Sequence, residues 1–129
     1  CAVAVVGATT DDGVIRGRHL VLENNQGEMG VWAGASDSGN GLLKVTSKTG
    51  TDLIYAGAGT DGNGMLKGMS KTGTNLIYAG ADTDDTGFLF QGFNKTGEGV
   101  VQLTVDDYGN GVVGAYNRKG KGRTPQPGP

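Results

Sequence analysis

Five evenly spaced glycines mark a repeat that runs through most of this chain. Gly27, Gly50, Gly73, Gly97 and Gly120 are separated by 23, 23, 24 and 23 residues. The segments between them repeat as well: GLLKVTSKTG at 41–50 returns as GMLKGMSKTG at 64–73, and TDLIYAGA at 51–58 returns as TNLIYAGA at 74–81. A unit of this length is too small to bury its own apolar side chains, so we expect it to stack on its neighbours.

Each unit contains two runs in which similar side chains recur at every second position. Leu43 and Val45 represent the first run, and Ile54 and Ala56 represent the second. A period of two is typical of a β-strand rather than a helix. The two runs are joined by segments such as 47–50 that end in a glycine able to adopt a positive φ, which predicts hairpin connections.

The connections between one unit and the next are expected to be longer. They lie at 36–40, 82–87 and 106–110 and are rich in Asp, Asn and Gly, whose side chains bond their own backbone. The extra residue of the 24-residue unit is predicted to fall at 82–87, because a surface loop accepts an insertion more readily than a strand.

These patterns divide the chain into three parts. Residues 1–13 are predicted to form an N-terminal half-repeat, 14–120 a rod of four repeat units, and 121–129 a basic, proline-containing tail. In the half-repeat, Ala4 is expected at the position that Ile54 occupies in the second run. Because the chain opens with a second-type run and ends with a first-type run, the two ends are complementary, and we expect end-to-end stacking into a filament.

The composition favours a thin, shared core over a large internal one. Only 36% of residues are hydrophobic and 6% aromatic, whereas 26 of 129 are glycine. One face of each predicted strand tapers from a branched residue to Ala or Gly, and the other begins with residues such as Leu42 and Met65 before Lys44 and Tyr55. Strands that are apolar on both faces, with long unpaired edges, invite association. We therefore expect a homotrimer in which strands pair between chains and the tapered residues fill a triangular interior.

The repeat from 17 to 120 resembles the triple-stranded β-helix stems of phage tail spikes, fibres and needles, and the related trimeric stalks of bacterial surface adhesins. The resemblance implies an all-β trimeric rod, a β-helix or β-prism, with a mechanical role outside the cell or at its surface. The predicted function is a non-catalytic structural subunit of an extracellular fibre or stalk that polymerises head to tail. The alternative is a tail-fibre or adhesin stem segment that presents a receptor or glycan contact.

No catalytic or cofactor-binding residue is predicted. GAGTDG at 57–62 fits a dinucleotide-binding pattern, but no helix follows it. Lys-Thr-Gly begins at Lys48, Lys71 and Lys95, and a motif present in several units indicates a turn rather than a catalytic triplet. His19 is a lone histidine on the strand face opposite the predicted core face, without a nucleophile nearby.

The candidates for metal binding and modification have simpler interpretations. Asp82, Asp84 and Asp85 form the richest group of oxygen ligands for calcium, but equivalent loops hold single aspartates, so backbone-bonding turns are favoured. Cys1 fits a lipidated or disulfide-linked residue as well as an ordinary terminal thiol. Asn94 begins a glycosylation tripeptide that arises easily in a threonine-rich turn.

The partner expected from the sequence is the chain itself. Eleven Lys and Arg against 13 Asp and Glu give a net charge of -2, and the basic run at 118–123 carries no aromatic residues, which argues against nucleic acid. No apolar run approaches the about 18 residues of a membrane span. Trp32, Tyr55 and Tyr78 are register-equivalent and predict a ladder on one face, interpreted as interstrand packing rather than as a track for glycan. A polysaccharide hydrolase would need paired carboxylates beside such a ladder.

Overall fold

The computed structural model describes residues 3–4, 18–59, 61–81 and 87–123, and within them it is all-β. Eleven antiparallel strands form one sheet in which each strand lies beside its neighbour in sequence. The strands are β1 Val3–Ala4, β2 His19–Glu23, β3 Met29–Ala35, β4 Gly41–Thr46, β5 Asp52–Ala58, β6 Gly64–Met69, β7 Asn75–Ala81, β8 Phe88–Phe93, β9 Gly99–Val105, β10 Gly111–Tyr116 and β11 Gly122–Arg123. The predicted all-β fold class and the two strands per repeat are confirmed.

The repeat length follows from the lengths of the strands and turns. A six-residue strand such as β4, a seven-residue strand such as β5 and two five-residue connections make one unit of 23 residues. Six residues, 82–87, separate β7 from β8, one more than in the other units. The prediction that the additional residue of the longer unit falls in this connection is confirmed.

The connections at both ends of the strands have the same geometry. At 47–51, the Ser47 amide donates to the Thr51 carbonyl at 2.8 Å and the Gly50 amide donates to the Ser47 carbonyl at 2.9 Å. The same two bonds close 36–40 and 106–110, and the glycine takes a φ of 78° at Gly50 and 85° at Gly39. Inside the bonded pair of end residues, each connection is thus a three-residue hairpin loop whose last residue is a glycine with a positive φ. The prediction of longer connections is therefore wrong at 36–40 and 106–110.

The two ends of the strands differ in register, however. Val45 pairs with Ile54 and Thr46 pairs with Asp52, so Leu53 is an additional residue on β5. Equivalent register shifts occur between β2 and β3, β6 and β7, and β8 and β9. No shift accompanies the connections at the other ends of the described strands. The bulge explains why one strand of each unit has seven residues and the other six.

The strands pair within the chain, which corrects the prediction that they pair between chains. Each strand from β2 to β10 is bonded to its preceding and following strand. The backbone groups in these ladders are therefore satisfied without a second copy. The physical reason is the short connection: a five-residue hairpin brings sequence neighbours together at a low entropic cost.

Two details at the ends also differ from the sequence analysis. If Ala4 were equivalent to Ile54, it would pair with Leu22. Instead Val3 pairs with Leu22 and Ala4 pairs with Val21. The predicted alignment of the half-repeat with the second run is therefore wrong by one residue. Gly122–Arg123, assigned to the tail, forms a short strand on β10. The rest of residues 1–13, and residues 124–129, lie outside the described part of the chain.

The sheet is a single layer, because each strand contacts only its sequence neighbours. Val112, at 8% exposure, is the only buried hydrophobic residue among those described. The chain therefore has two open faces instead of a core, and these faces are where its function must be sought.

Candidate functional site

The first face collects the tapered positions, and we call it the apolar face. The register places Leu43 opposite Ala56 and Val45 opposite Ile54, which confirms that the alternate positions singled out in the sequence share one face. Nine large hydrophobic residues on this face are between 37% and 53% exposed: Leu20, Leu22, Leu43, Ile54, Leu66, Ile77, Phe88, Val101 and Val113. One whole side of the sheet thus presents unburied hydrocarbon.

Large and small residues on the apolar face form a checkerboard. Across the strands, one row reads Leu43, Ala56, Leu66, Ala79, Phe90, and the next row reads Val45, Ile54, Gly68, Ile77, Gly92. From β5 to β8, a strand with a large residue in one row therefore has a small residue in the other. In these two rows the four strands carry a similar side-chain volume, and in the third row Phe88 adds an aromatic residue to β8 opposite Ala81.

The opposite face carries Trp32, Tyr55 and Tyr78, and we call it the ladder face. Lys44 pairs with both Trp32 and Tyr55, and Lys67 pairs with both Tyr55 and Tyr78. The predicted aromatic ladder is confirmed. Sequence analysis missed that a lysine stands between each two rings, although the equivalence of positions 44 and 67 in the first runs was a usable signal.

The lysines of the ladder lie over the tyrosine rings. Lys44 Nζ is 5.8 Å from the centroid of Tyr55, and Lys67 Nζ is 5.9 Å from Tyr55 and 6.0 Å from Tyr78. These distances are at the outer limit for a cation–π attraction. Lys44 Nζ is also 3.8 Å from Asp52 Oδ2, at the bulged end of β5.

Aromatic rings of the ladder face lie over glycines of the same strands. A methyl group placed on Gly80 would lie 2.7 Å from Tyr78 Oη, and one on Gly34 would lie 3.1 Å from Trp32 Cζ2. Rings that cover a strand glycine replace packing that the missing side chain does not supply. This explains Gly34 and Gly80, whereas a methyl group on Gly57 would meet Leu42 and not Tyr55.

His19 lies on the ladder face, as predicted from its position opposite the tapered residues. It pairs with Gly34 in the register, and its ring centroid is 5.5 Å from that of Trp32 with the planes inclined by 33°. The contact is an aromatic pair at the end of the ladder.

Two concavities open on the ladder face. One of about 470 Å³ has Trp32 and Lys44 in its lining, together with Leu42. Another of about 270 Å³ has Tyr78 and Lys67, together with Gln91. Each therefore combines an aromatic ring with a lysine, and the same chemistry recurs four strands apart.

The turns hold two carboxylates with altered acidity. The pKa of Asp106 is lowered because the Asn110 amide, 2.8 Å from Oδ1, stabilises the ionised form, and the Asn110 side chain and the Tyr108 amide add to the effect. The pKa of Glu98 is lowered because the Thr96 hydroxyl donates to its carboxylate, with a further contribution from Asn94. Both groups lie in hairpin turns, where Glu98 is exposed and Asp106 is half-buried.

The remaining sequence candidates stay apart from the two faces. Lys48 and Lys71 are exposed in hairpin turns, and the segment 57–62 ends in a turn at Gly62 with a φ of 87° rather than in a helix. Arg118, Lys119 and Lys121 lie exposed at the turn before β11. Cys1, Asp82, Asp84 and Asp85 lie outside the described residues. In the described ranges, no three His, Cys, Asp or Glu side chains come together as a metal site.

Comparisons with known proteins do not assign the chain to a family. No family model matches it, and a search of curated proteins found no significant relative. Within the residues placed by the structure, no helix has the length and apolar character needed to cross a membrane.

Proposed function

We propose that this chain is a non-catalytic structural subunit of an extracellular fibre or stalk, in which three copies pack their apolar faces together as a β-prism. The observation that supports this proposal is the near absence of a core. With Val112 as the only buried hydrophobic residue among those described, the chain leaves one complete sheet face in water. Exposed apolar surfaces of such extent mark interaction sites.

The apolar face is large enough for stable association. Nine strands spaced about 4.8 Å apart extend over roughly 40 Å, and three rows of side chains cover about 15–20 Å along the strands. The projected area is on the order of 700 Å² for each chain, close to the about 800 Å² that each partner buries in a standard interface.

The partner favoured by this surface is another copy of the chain. In two rows, the checkerboard gives each strand from β5 to β8 one large and one small residue, so copies of the same sheet at the same height enclose an interior of similar width there. In the third row the face tapers to Ala58, Gly64 and Ala81, which suits the narrow corner where two faces of a prism meet, and Phe88 widens this margin at β8. Because the ladders are complete within each chain, the copies associate through side chains and not by exchanging strands.

Polymerisation is the second part of the proposal, and it concerns the sheet edges. Within the described residues, β11 pairs with β10 only at Ala115 and Tyr116, and β1 pairs with β2 only at Val21 and Leu22. β1 and β11 are the outermost strands of the sheet among the described residues, and the edge of an outermost strand is where sheets can join end to end. A contact between two different edges repeats without closing and builds a filament.

Sedimentation equilibrium at micromolar concentration tests the trimer, and negative-stain electron microscopy tests the filament. We expect a species of three times the 13.1 kDa chain mass, and rods whose length grows with concentration. A folded monomer of 13.1 kDa would overturn the proposal, a dimer would replace the prism by a two-sheet sandwich, and short uniform particles would remove the polymerisation step.

A further inference from the structure

The ladder face carries chemistry that a structural rod does not require. Trp32, Tyr55 and Tyr78 lie on alternate strands, and Lys44 and Lys67 lie on the strands between them. Because neighbouring strands are about 4.8 Å apart, an aromatic ring recurs every ~10 Å across the sheet and a lysine recurs at the same interval. The row is a periodic surface with two alternating kinds of contact.

The rings are arranged as platforms. Tyr78 reaches over Gly80 and Trp32 over Gly34, since a methyl group on these glycines would lie 3.0 Å from Tyr78 Cζ and 3.1 Å from Trp32 Cζ2. Trp32, Tyr55 and Tyr78 are all partly exposed. The exposed part of each ring is open to contact with a flat apolar ligand.

The charges of the row favour an acidic ligand. The register row that contains the three rings continues as Gln91 and Gln102, so Lys44 and Lys67 are its charged members between β3 and β9. Each lysine borders a concavity together with an aromatic ring, and each concavity also has one aspartate in its lining, Asp37 in the first and Asp61 in the second. Lys44 Nζ is in addition 3.8 Å from Asp52 Oδ2, so a bound carboxylate would compete with Asp52 for it. Amines placed between stacking surfaces suit a polymer that carries one acid group in each repeat.

We propose that the ladder face binds a linear acidic polysaccharide, with sugar rings stacked on Trp32, Tyr55 and Tyr78 and carboxylates paired with Lys44 and Lys67. Sugar rings present flat C–H surfaces to aromatic rings, and a disaccharide unit has about the length that separates two platforms. An alternating uronic acid and N-acetylhexosamine chain supplies one carboxylate in each such unit. The proposal is independent of how the apolar face is covered, because the ladder face is the other side of the sheet.

Trp32 is the only tryptophan of the chain, so its fluorescence reports on this face alone. The experiment titrates the full chain with a ten-ring oligosaccharide of alternating glucuronate and N-acetylglucosamine. Two comparison titrations use a neutral β-glucan oligosaccharide of the same length and a polyglutamate of the same charge. We expect saturable binding of the acidic oligosaccharide, at least tenfold tighter than binding of either comparison ligand.

Matched variants test the residues. Lys44→Gln with Lys67→Gln removes both ladder lysines, and Lys48→Gln with Lys71→Gln removes two turn lysines with the same change in net charge. Tyr55→Leu removes a platform, and Tyr108→Leu removes an exposed turn tyrosine. We expect at least a tenfold loss of affinity for both ladder variants and less than a twofold change for the turn variants, with circular dichroism unchanged.

Four results would overturn the proposal. The first is no binding of the acidic oligosaccharide at millimolar concentration, and the second is equal binding of polyglutamate or of the neutral glycan. The third is a shift of Trp32 emission on diluting the protein alone, which would show that another copy covers the ladder face. Equal losses in ladder and turn variants would also contradict it, since they would reflect net charge and not this row.

Discussion

The two faces of the sheet differ in how their apolar residues are covered. On the ladder face, Leu42, Met65 and Leu89 are partly or largely covered and Val112 is buried, whereas nine large residues of the apolar face are exposed. Both faces belong to the same strands and have the same alternation. Within one chain, these residues of the ladder face are therefore covered more than the nine residues of the apolar face.

Glycine has a different role on each face. On the ladder face, Gly34 and Gly80 lie under aromatic rings, whereas on the apolar face Gly68 and Gly92 alternate with Ile and have open surroundings. A glycine under a ring is a packing requirement, whereas a glycine in the checkerboard is a depression in an exposed face.

A charge on the apolar face should abolish association. Phe90→Asp places a carboxylate in the face proposed to be shared, and an unpaired buried charge costs several kcal/mol. Gln91→Asp, on the neighbouring residue of the ladder face, is the control. Sedimentation should show Phe90→Asp as a smaller species and Gln91→Asp with the mass of the original protein. The same mass for both would contradict the assignment of the shared face.

Adding one methyl group should destabilise the chain on the ladder face and leave its stability nearly unchanged on the apolar face. A Cβ at Gly57 would lie 2.9 Å from Leu42 Cα, which is backbone that cannot move aside, so Gly57→Ala should lower the free energy of unfolding by about 1–3 kcal/mol. At Gly68 the nearest atom is Ile77 Cβ at 3.7 Å, an ordinary contact.

Gly68→Ala is therefore the control, and we expect its stability to change by less than about 0.5 kcal/mol in the dissociated chain. Urea unfolding of both variants measures the difference. Similar losses at the two positions would show that the two faces do not treat glycine differently.

Removing a lysine from the ladder should have a smaller effect. Lys67→Met keeps the hydrocarbon stem but removes the charge between Tyr55 and Tyr78, and exposed cation–π pairs contribute about 0.5–1 kcal/mol. Lys71→Met, in an exposed turn, should be neutral. Thermal unfolding at low ionic strength distinguishes the two, and an equal response would assign the effect to net charge.

Acid should weaken the turns without acting directly on either face. Asp106 has a pKa below its ordinary value of 3.8, so its turn contributes stability that is complete above that value and is lost as pH falls through the lowered one. Asp106→Asn keeps an acceptor oxygen and removes the titration. NMR titration should find a lowered pKa for Asp106, and unfolding of the Asn variant should lose this part of the acid dependence. A pKa at or above 3.8 would contradict the turn geometry.

Several features of the candidate surfaces were predictable because they depend on local spacing. Alternation placed Ile54 and Ala56 on one face and Tyr55 on the other, and the repeat placed Tyr55 and Tyr78 at equivalent positions. The Lys67 position between two rings was not recognised, since it depends on pairing with strands both before and after β6. A one-residue error in such pairing, as at Ala4, moves a residue to the wrong partner.

The sequence by itself determined where strands and turns lie, which glycines close the turns and which side chains share a face. These properties follow from backbone sterics and a period of two, and both are local. Only the tertiary structure decided that each strand pairs with its own chain's neighbours, that both sets of connections have one geometry and that rings cover strand glycines. These outcomes depend on contacts across strands, where hairpin closure and the bulges at one end of the strands set the register.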